Sequence, residues 1–225
     1  MSNEPVDVIL LAAGIGMRTG LNYPKQFYKI NGKPFFIMPL EILDRMEEVN
    51  SIIITCAVNY MEEYSNYLSH YNIKKAVLIE GGKTRQESVY LALQKVTTSR
   101  VLIHEAARPL IAKDFVQEIL SYKNDDAVIP TIPIPFTVSE GEDYMTNILD
   151  RKKLKNIQLP QFFDTKILIK AHEDAIESKF EATEDGILMF RLGKKVKFVN
   201  GRESNIKITS KIDIIIVNLL INSNE

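Results

Sequence analysis

Arg18 and Lys25 follow closely on an apolar run, Val8 to Leu11, that breaks into Ala12-Ala13-Gly14-Ile15-Gly16. Glycine admits backbone conformations that side chains forbid and lets amide groups approach a ligand closely. A guanidinium can grip phosphate oxygens as a fork, and an ammonium acts as a compact charge. A strand, a glycine loop and two cations in this order read as a nucleoside triphosphate site. A glycine pair after a strand is also, often, only a turn, and it is the cations that favour the phosphate reading. The stretch is not a P-loop, which needs Lys-Ser/Thr after its last glycine. Nor does it have the longer glycine spacing of a dinucleotide-binding turn.

Three further constellations carry polar chemistry. In Glu80-Gly81-Gly82-Lys83-Thr84-Arg85-Gln86-Glu87-Ser88, a glycine pair opens a helical pattern and leaves amides free, with Ser88 one turn on, an arrangement suited to a nucleobase edge. The same residues also describe an ordinary helix N-terminus, with Arg85 solvated or ion-paired. In His104-Glu105-Ala106-Ala107-Arg108-Pro109, a carboxylate and a guanidinium lie three residues apart after an apolar run, facing a ligand crevice or bracing their own loop. In Asn205-Ile206-Lys207-Ile208-Thr209, Lys207 sits in a short extended segment, where an isolated lysine faces solvent by default.

The elements that must position these groups alternate along the chain. Strand-like runs fall at Val6 to Leu11, Ile52 to Val58, Ala76 to Ile79, Arg100 to His104 and Ala127 to Pro130, with helical spacing at 35–46, 61–71, 86–96 and 112–122. Such alternation predicts an α/β fold with a mostly parallel sheet and ligands at the carboxyl ends of the strands. A helix is expected again near 164–177, a strand at 195–199 and a last helix from about Asp213. Between them, Pro130, Pro133 and Pro135 alternate with Ile and Phe before an acidic turn, Glu140-Gly141-Glu142-Asp143. Proline-punctuated extended chain makes a poor core strand, and the segment reads as a protruding arm that pairs with a second subunit. A hairpin packed on its own domain would have the same sequence.

Composition narrows the function. The 225 residues suit one α/β domain with an insertion, and 45% hydrophobic with 25% charged residues is ordinary for a globular chain. A net charge of -1 argues against nucleic acid or a membrane surface as partner. Apolar runs are too short to span a bilayer, and the first residues do not form a signal-like segment, so a cytoplasmic location is expected. The single cysteine, Cys56, reads as a buried strand residue, and three scattered histidines form no zinc-type cluster.

Taken in order, the motifs carry a resemblance. Leu-Ala-Ala-Gly-x-Gly-x-Arg at 11–18, Pro-Lys-Gln at 24–26 and Gly-Gly-x-x-Arg-x-x-Ser-Val at 81–89 come first. His-x-Ala-Ala-Arg-Pro at 104–109, Asp150-Arg151 followed by Pro160-Gln161-Phe162-Phe163, and Asn-Ile-Lys-Ile-Thr at 205–209 complete the series. The series resembles the methylerythritol-phosphate cytidylyltransferase family and its relatives that use ribitol 5-phosphate. The resemblance implies a Rossmann-like nucleotidyltransferase fold, a three-layer α/β sandwich, as one domain over 1–225 with 131–152 as an inserted dimerisation arm. The implied reaction joins CTP and an alcohol phosphate to give a CDP-alcohol and diphosphate. The resemblance implies 2-C-methyl-D-erythritol 4-phosphate as the acceptor, with ribitol 5-phosphate or another alditol phosphate as the alternative, and a non-catalytic nucleotide-binding homologue as a further reading. Mg²⁺ would accompany CTP, with no residue assigned to it, and the protein would be a homodimer.

On the matching positions, the resemblance implies that Arg18 and Lys25 stabilise charge at the transferring phosphorus. Ala12, Ala13, Gly14, Ile15 and Gly16 would hold the triphosphate. Gly82, Lys83, Arg85 and Ser88 would read the nucleoside, with Glu105 bordering both substrates. Lys207, and Arg151 of the partner subunit, would position the acceptor phosphate, while Ala106, Arg108, Thr137 and Thr183 would complete the acceptor pocket. The departures cluster on the acceptor side. Glu105 stands where the family usually has Asp, Phe136 and Ser139 replace the Asp and Lys of the arm motif, Leu159 replaces a Thr, and Glu184 replaces an Asp.

Overall fold

The computed structural model describes residues 4–14 and 23–223. Its strands are β1 (Val6–Leu11), β2 (Lys29–Ile30), β3 (Lys33–Pro34), β4 (Val49–Cys56), β5 (Ala76–Glu80), β6 (Arg100–Glu105), β7 (Ala127–Pro133), β8 (Ser139–Gly141), β9 (Met145–Ile148), β10 (Lys155–Ile157), β11 (Gln161–Asp164) and β12 (Val196–Asn200). The α-helices are α1 (Ile37–Asp44), α2 (Met61–His70), α3 (Arg85–Leu93), α4 (Lys113–Leu120), α5 (Thr165–Glu177), α6 (Asp185–Arg191) and α7 (Lys211–Asn222).

Strands β5, β4, β1 and β6 lie side by side and parallel, and β11 joins β6 to β7 by antiparallel pairing. β12 runs parallel along the other edge of β7, which also pairs with β10. From β1 the chain moves outward through β4 to β5, then returns to the opposite side of β1 as β6. The strand order therefore reverses at β1 and β6, and the crevice opened by such a switch at the carboxyl ends is where α/β sheets take ligands.

Side-chain alternation along the strands builds the layers. Val8 and Leu10 of β1 point to one face, with Ile52 and Ile54 of β4 and Leu102 of β6, where α1, α2, α4 and α7 supply Leu40, Tyr64, Phe115 and Val217. Ile9, Ile53, Val101 and Ile103 point to the other, against Val89 of α3, Leu168 of α5 and Met189 of α6. Both faces are covered, which is why these strands read as continuous apolar runs rather than as alternating ones.

The six strands and six helices expected from periodicity all form, with ends that differ by up to three residues. Residues 131–133 of the expected arm instead complete β7, which holds both Pro130 and Pro133 because a missing amide is tolerated where the ladder does not need one. The rest forms the β8–β9 hairpin, paired antiparallel in its own two-stranded sheet. Phe136, Tyr144, Met145 and Ile148 stand at 77%, 85%, 69% and 82% exposure, so the hairpin is not packed into the domain's core. Sequence periodicity does not reveal β10, β11 or α6. The first two are three and four residues long, and α6 has only seven, all too short to show a period.

Candidate active site

A cleft of about 340 Å³ opens at the switch point, lined by the ends of β1 and β4, the loop into α3, the end of β6 and Lys207. Ala13, Gly14, Lys25, Gly82, Lys83, Arg85, Ser88, Glu105 and Lys207, all expected from sequence, line this one cavity. Ala12 lies just beneath it, 3% exposed. Ile15, Gly16 and Arg18 lie outside the described residues.

The first loop is held by its carbonyls. Ala12 O accepts hydrogen bonds from Gln26 Nε2 at 3.0 Å and Tyr64 Oη at 3.0 Å, and Gly14 O accepts from the same Gln26 amide at 2.6 Å. A trans peptide sets N–H opposite C=O, so these bonds turn the following amide of Ala13 away from Gln26. Gln26 closes a 3-10 turn, Lys25–Phe27, whose Phe27 packs among Phe36, Tyr60, Tyr64 and Tyr67. Aromatic packing thus fixes a polar brace, and the brace fixes the loop. Lys25 Nζ donates to Ile208 O at 2.6 Å, tying this turn to the segment that carries Lys207.

The second loop is equally constrained. A Cβ on Gly81 would stand 2.5 Å from the Cβ of Ala13, so only glycine lets the two loops approach this closely. Thr84 caps α3 by accepting from Glu87 N at 3.1 Å, and the Glu87 carboxylate takes Lys83 N at 2.6 Å, variants of a reciprocal cap. Ser88 Oγ accepts from Gly82 N at 3.0 Å and donates to Thr84 O at 2.8 Å, so its hydroxyl shapes the loop from below.

Arg85 is ion-paired rather than solvated. Its guanidinium meets Asp185 at 2.8 Å, Glu184 at 3.3 Å and Glu105 at 3.6 Å. Lys207 is likewise paired, 2.7 Å from Glu105. Burial favours a protonated Glu105, but Lys207, Arg85 and Arg108 outweigh it and hold the carboxyl below its usual range. The segment around Lys207 is clamped. Asn205 Nδ2 donates to Leu159 O, Ile208 N to Ala107 O, and Arg108 Nη1 to Asn205 O, while the capping box of Ser210 and Asp213 fixes the start of α7. Ile208 is fully buried, and the alternation leaves Lys207 facing the cleft.

Other expected residues lie elsewhere. Ala106 is buried, its amide donating to Leu11 O at 3.0 Å, and Arg108 is occupied by Asn205, so both hold the floor of the cleft rather than line it. Thr183 is exposed beside the acidic pair Glu184 and Asp185. Thr137 and Arg151 are exposed at the root of the arm, where Arg151 Nη1 donates to Pro135 O at 2.7 Å. Sequence reasoning passed over Thr55, a polar residue near the end of an apolar strand that lines the cleft, and the bracing roles of Gln26 and Tyr64.

The amides of the second glycine loop, expected to be free, are taken, Gly81 N by Cys56 O, Gly82 N by Ser88 and Lys83 N by Glu87. The cleft therefore offers the first loop, cations and, among the described residues, a single carboxylate already engaged by two of those cations. His104 is buried, closed on Arg108 O at 3.0 Å, and burial lowers its pKa to about 4, so it is neutral and unavailable as a base. This chemistry holds an anion and stabilises charge on it. No described helix is long and apolar enough to cross a membrane.

Comparison with known proteins agrees. Residues 6–223 match the family of 2-C-methyl-D-erythritol 4-phosphate cytidylyltransferases. A protein of that name from Bacillus cytotoxicus is 35% identical over 213 residues, covering 93% of this chain and 94% of its own. Another of the same name, from Alkaliphilus oremlandii, is 33% identical over 216 residues, covering 93% and 92%. Among solved structures, 4-diphosphocytidyl-2C-methyl-D-erythritol synthase from Anaerococcus prevotii superposes with a TM-score of 0.85 at 28% identity, over 98% of this chain and 97% of that one. With a nucleotide-suited cleft at the switch point and a family match over nearly its whole length, this chain belongs to the 2-C-methyl-D-erythritol 4-phosphate cytidylyltransferase family.

Proposed function

We propose that this protein transfers the cytidylyl group of CTP to 2-C-methyl-D-erythritol 4-phosphate. The observation that carries the reading is one cleft lined by the glycine loop, Lys25, the second glycine loop and Lys207. An oxygen of the acceptor phosphate attacks the α-phosphorus, the bond to the β-phosphate oxygen breaks, and diphosphate leaves. The attacking phosphate has a second pKa of about 6, so it is largely dianionic at neutral pH and needs no general base. Positioning and charge stabilisation suffice.

In this reading the amides of 12–16, with Arg18 and Lys25, receive the triphosphate. Gly82, Lys83 and Ser88 shape the nucleoside end, and Arg85 holds Glu105 at the border with the acceptor. Lys207 takes the acceptor phosphate, and Glu105 sets the lysine's position. Among the described residues no three His, Cys, Asp or Glu side chains are grouped to hold a metal. Mg²⁺ would enter with the triphosphate, whose oxygens and water are the hard ligands that ion favours, and no residue of this chain is assigned to it. The chain acts as a single domain with 131–152 as an arm. The exposed apolar residues of that arm support a homodimer in which Arg151 of the partner subunit, with Thr137, completes the acceptor side.

The relatives' names favour methylerythritol phosphate over ribitol 5-phosphate as acceptor. Diphosphate release from Mg·CTP with methylerythritol 4-phosphate, ribitol 5-phosphate and glycerol 3-phosphate tests this. Turnover with the first alone is expected, and turnover confined to either other acceptor would overturn it.

A further inference from the structure

A line of polar side chains, buried at its start and half-buried where it ends, runs from the core behind α3 to the cleft. It begins at His172 on α5, whose Nε2 donates to Asp185 Oδ1 at 3.0 Å, both residues being essentially inaccessible. Asp185 Oδ2 lies 2.8 Å from Arg85 Nη2, Arg85 Nε 3.6 Å from Glu105 Oε1, and Glu105 Oε2 2.7 Å from Lys207 Nζ. A side branch anchors the middle, where Glu184 Oε2 meets Arg85 at 3.3 Å and accepts from Gln161 Nε2 at 3.0 Å. Four elements, α3, α5, α6 and β6, and the strap before α7 thus meet through one alternating series of charges.

We infer that Asp185 and His172 are positioning residues for the transfer reaction, fixing Arg85 and, through it, Glu105 and Lys207 at the acceptor end of the cleft. The inference rests on the function proposed above. Buried ion pairs add little stability over packed apolar groups, so the fully buried His172–Asp185 end of this series calls for another reason. His172 makes the case sharper. Its Nδ1 has no hydrogen-bond partner, and the ring stacks on Tyr90 at 6.1 Å, so this imidazole is retained in the core for the single bond it gives Asp185.

Arg85 supplies the direction of the effect. Asp185 draws on Nη2 and Glu105 on Nε of the same guanidinium. With Asp185 anchored by His172, Arg85 is held back toward α6, and Glu105 keeps one oxygen for Lys207. When Asp185 is released, the guanidinium moves toward Glu105, the carboxylate turns to meet it, and Lys207 loses its fixed partner. The nucleoside end, shaped by the bonds that the side chains of Thr84, Glu87 and Ser88 make to the backbone of 82–87, is unaffected.

His172→Leu removes the donor, while His172→Gln can still offer an N–H near the Nε2 position. Steady-state kinetics of the full-length protein should show His172→Leu raising the acceptor KM about tenfold, the loss of one hydrogen bond to a charged group, with the CTP KM within about twofold. His172→Gln should restore most of it. Combined with Glu105→Gln, the His172→Leu loss should vanish, because the path to Lys207 is already cut, whereas independent additive losses would overturn the inference. The Arg85 Nε–H signal, identified by its absence in Arg85→Lys, should shift in nitrogen-15 NMR spectra of His172→Leu and stay in place in His172→Gln. An unmoved signal in His172→Leu would also overturn it. Should His172→Leu not fold, Asp185→Glu keeps the charge, lengthens the arm and carries the same readouts. If the wild type transfers nothing to any acceptor, the proposed function fails, and the NMR signal alone still decides whether His172 positions Arg85.

Discussion

Replacing Gln26 by Leu separates what holds the fold from what prepares the site. Gln26 is 3% exposed, and its single amide nitrogen serves both Ala12 O at 3.0 Å and Gly14 O at 2.6 Å. Each such bond contributes about 1 kcal/mol net, and an orphaned buried acceptor would cost more. Neither acceptor is orphaned here, because Ala12 O keeps its bond from Tyr64 and Gly14 is exposed to water. The substitution also removes Gln26 Oε1, itself buried without a partner, which offsets part of the loss. The net cost is therefore about 1 kcal/mol, a fall in Tm of about 2–4 °C for a chain of this size. The consequence for CTP is larger. Once Gly14 O is released, the peptide plane that follows it can rotate, and displacements near 1 Å in positioning groups cost up to about a hundredfold in rate. Diphosphate release at varied CTP should show the CTP KM raised at least about tenfold with the acceptor KM unchanged. A CTP KM within twofold of wild type, in a variant with the expected Tm, would refute the claim that Gln26 orients the loop.

Three further outcomes follow from burial and charge. Burial favours the neutral form of Asp185, but Arg85 and His172 prevail and lower its pKa from 3.8 to about 2. Its stabilisation, about 2 kcal/mol, is fully present above pH 4 and drains away as pH falls through 2. Denaturation from pH 5 to 2 should accordingly show a shallower acid loss in Asp185→Asn than in wild type, and equal slopes would contradict the assignment. Cys56 is buried, and burial raises its thiol pKa to about 11. Mass spectrometry should detect iodoacetamide labelling at pH 8 only after unfolding, and stoichiometric labelling of native protein would contradict this. Ile148→Glu, on the exposed hairpin, should leave the protomer's helical spectrum intact while shifting sedimentation from dimer toward monomer, and an unchanged dimer would exclude the arm as its interface.

The parts of this molecule legible in its sequence are those where backbone geometry dictates residue type. Val6–Leu11 is a strand as its run predicts, apolar but for Asp7, whose carboxylate is satisfied by Thr97 and Thr98, since both faces of β1 are covered. Gly81 announces a close approach, and the structure supplies its neighbour, Ala13. The arm announces itself through Pro135 and the acidic turn, and the hairpin beyond has its own small sheet, whereas Pro130 and Pro133 lie inside β7 and are accommodated there. Strand order is less legible, because the antiparallel β11 between β6 and β7 is four residues of no distinctive pattern whose place depends on pairing with both neighbours.

Side-chain pairings across the fold follow a different rule. Arg85 and Lys207 look alike in sequence, two cations beside glycines or isoleucines, and either could be solvated. What fixes them is Glu105, Glu184 and Asp185, reached from separate elements and brought together only when α3, β6 and α6 pack. A strand ending in Glu105 limits where its carboxylate can lie, yet nothing local says that it will meet a guanidinium from one side and an ammonium from the other. The pairing has a direct bearing on the acceptor. Glu105 carries one methylene more than the Asp usual at this position, and that extra length, about 1.5 Å, lies between the end of β6 and Lys207. The departure from the family pattern thus falls on the residue that sets the lysine's position, so differences in acceptor handling between this chain and its relatives should trace to Glu105 before any residue of the nucleotide loops.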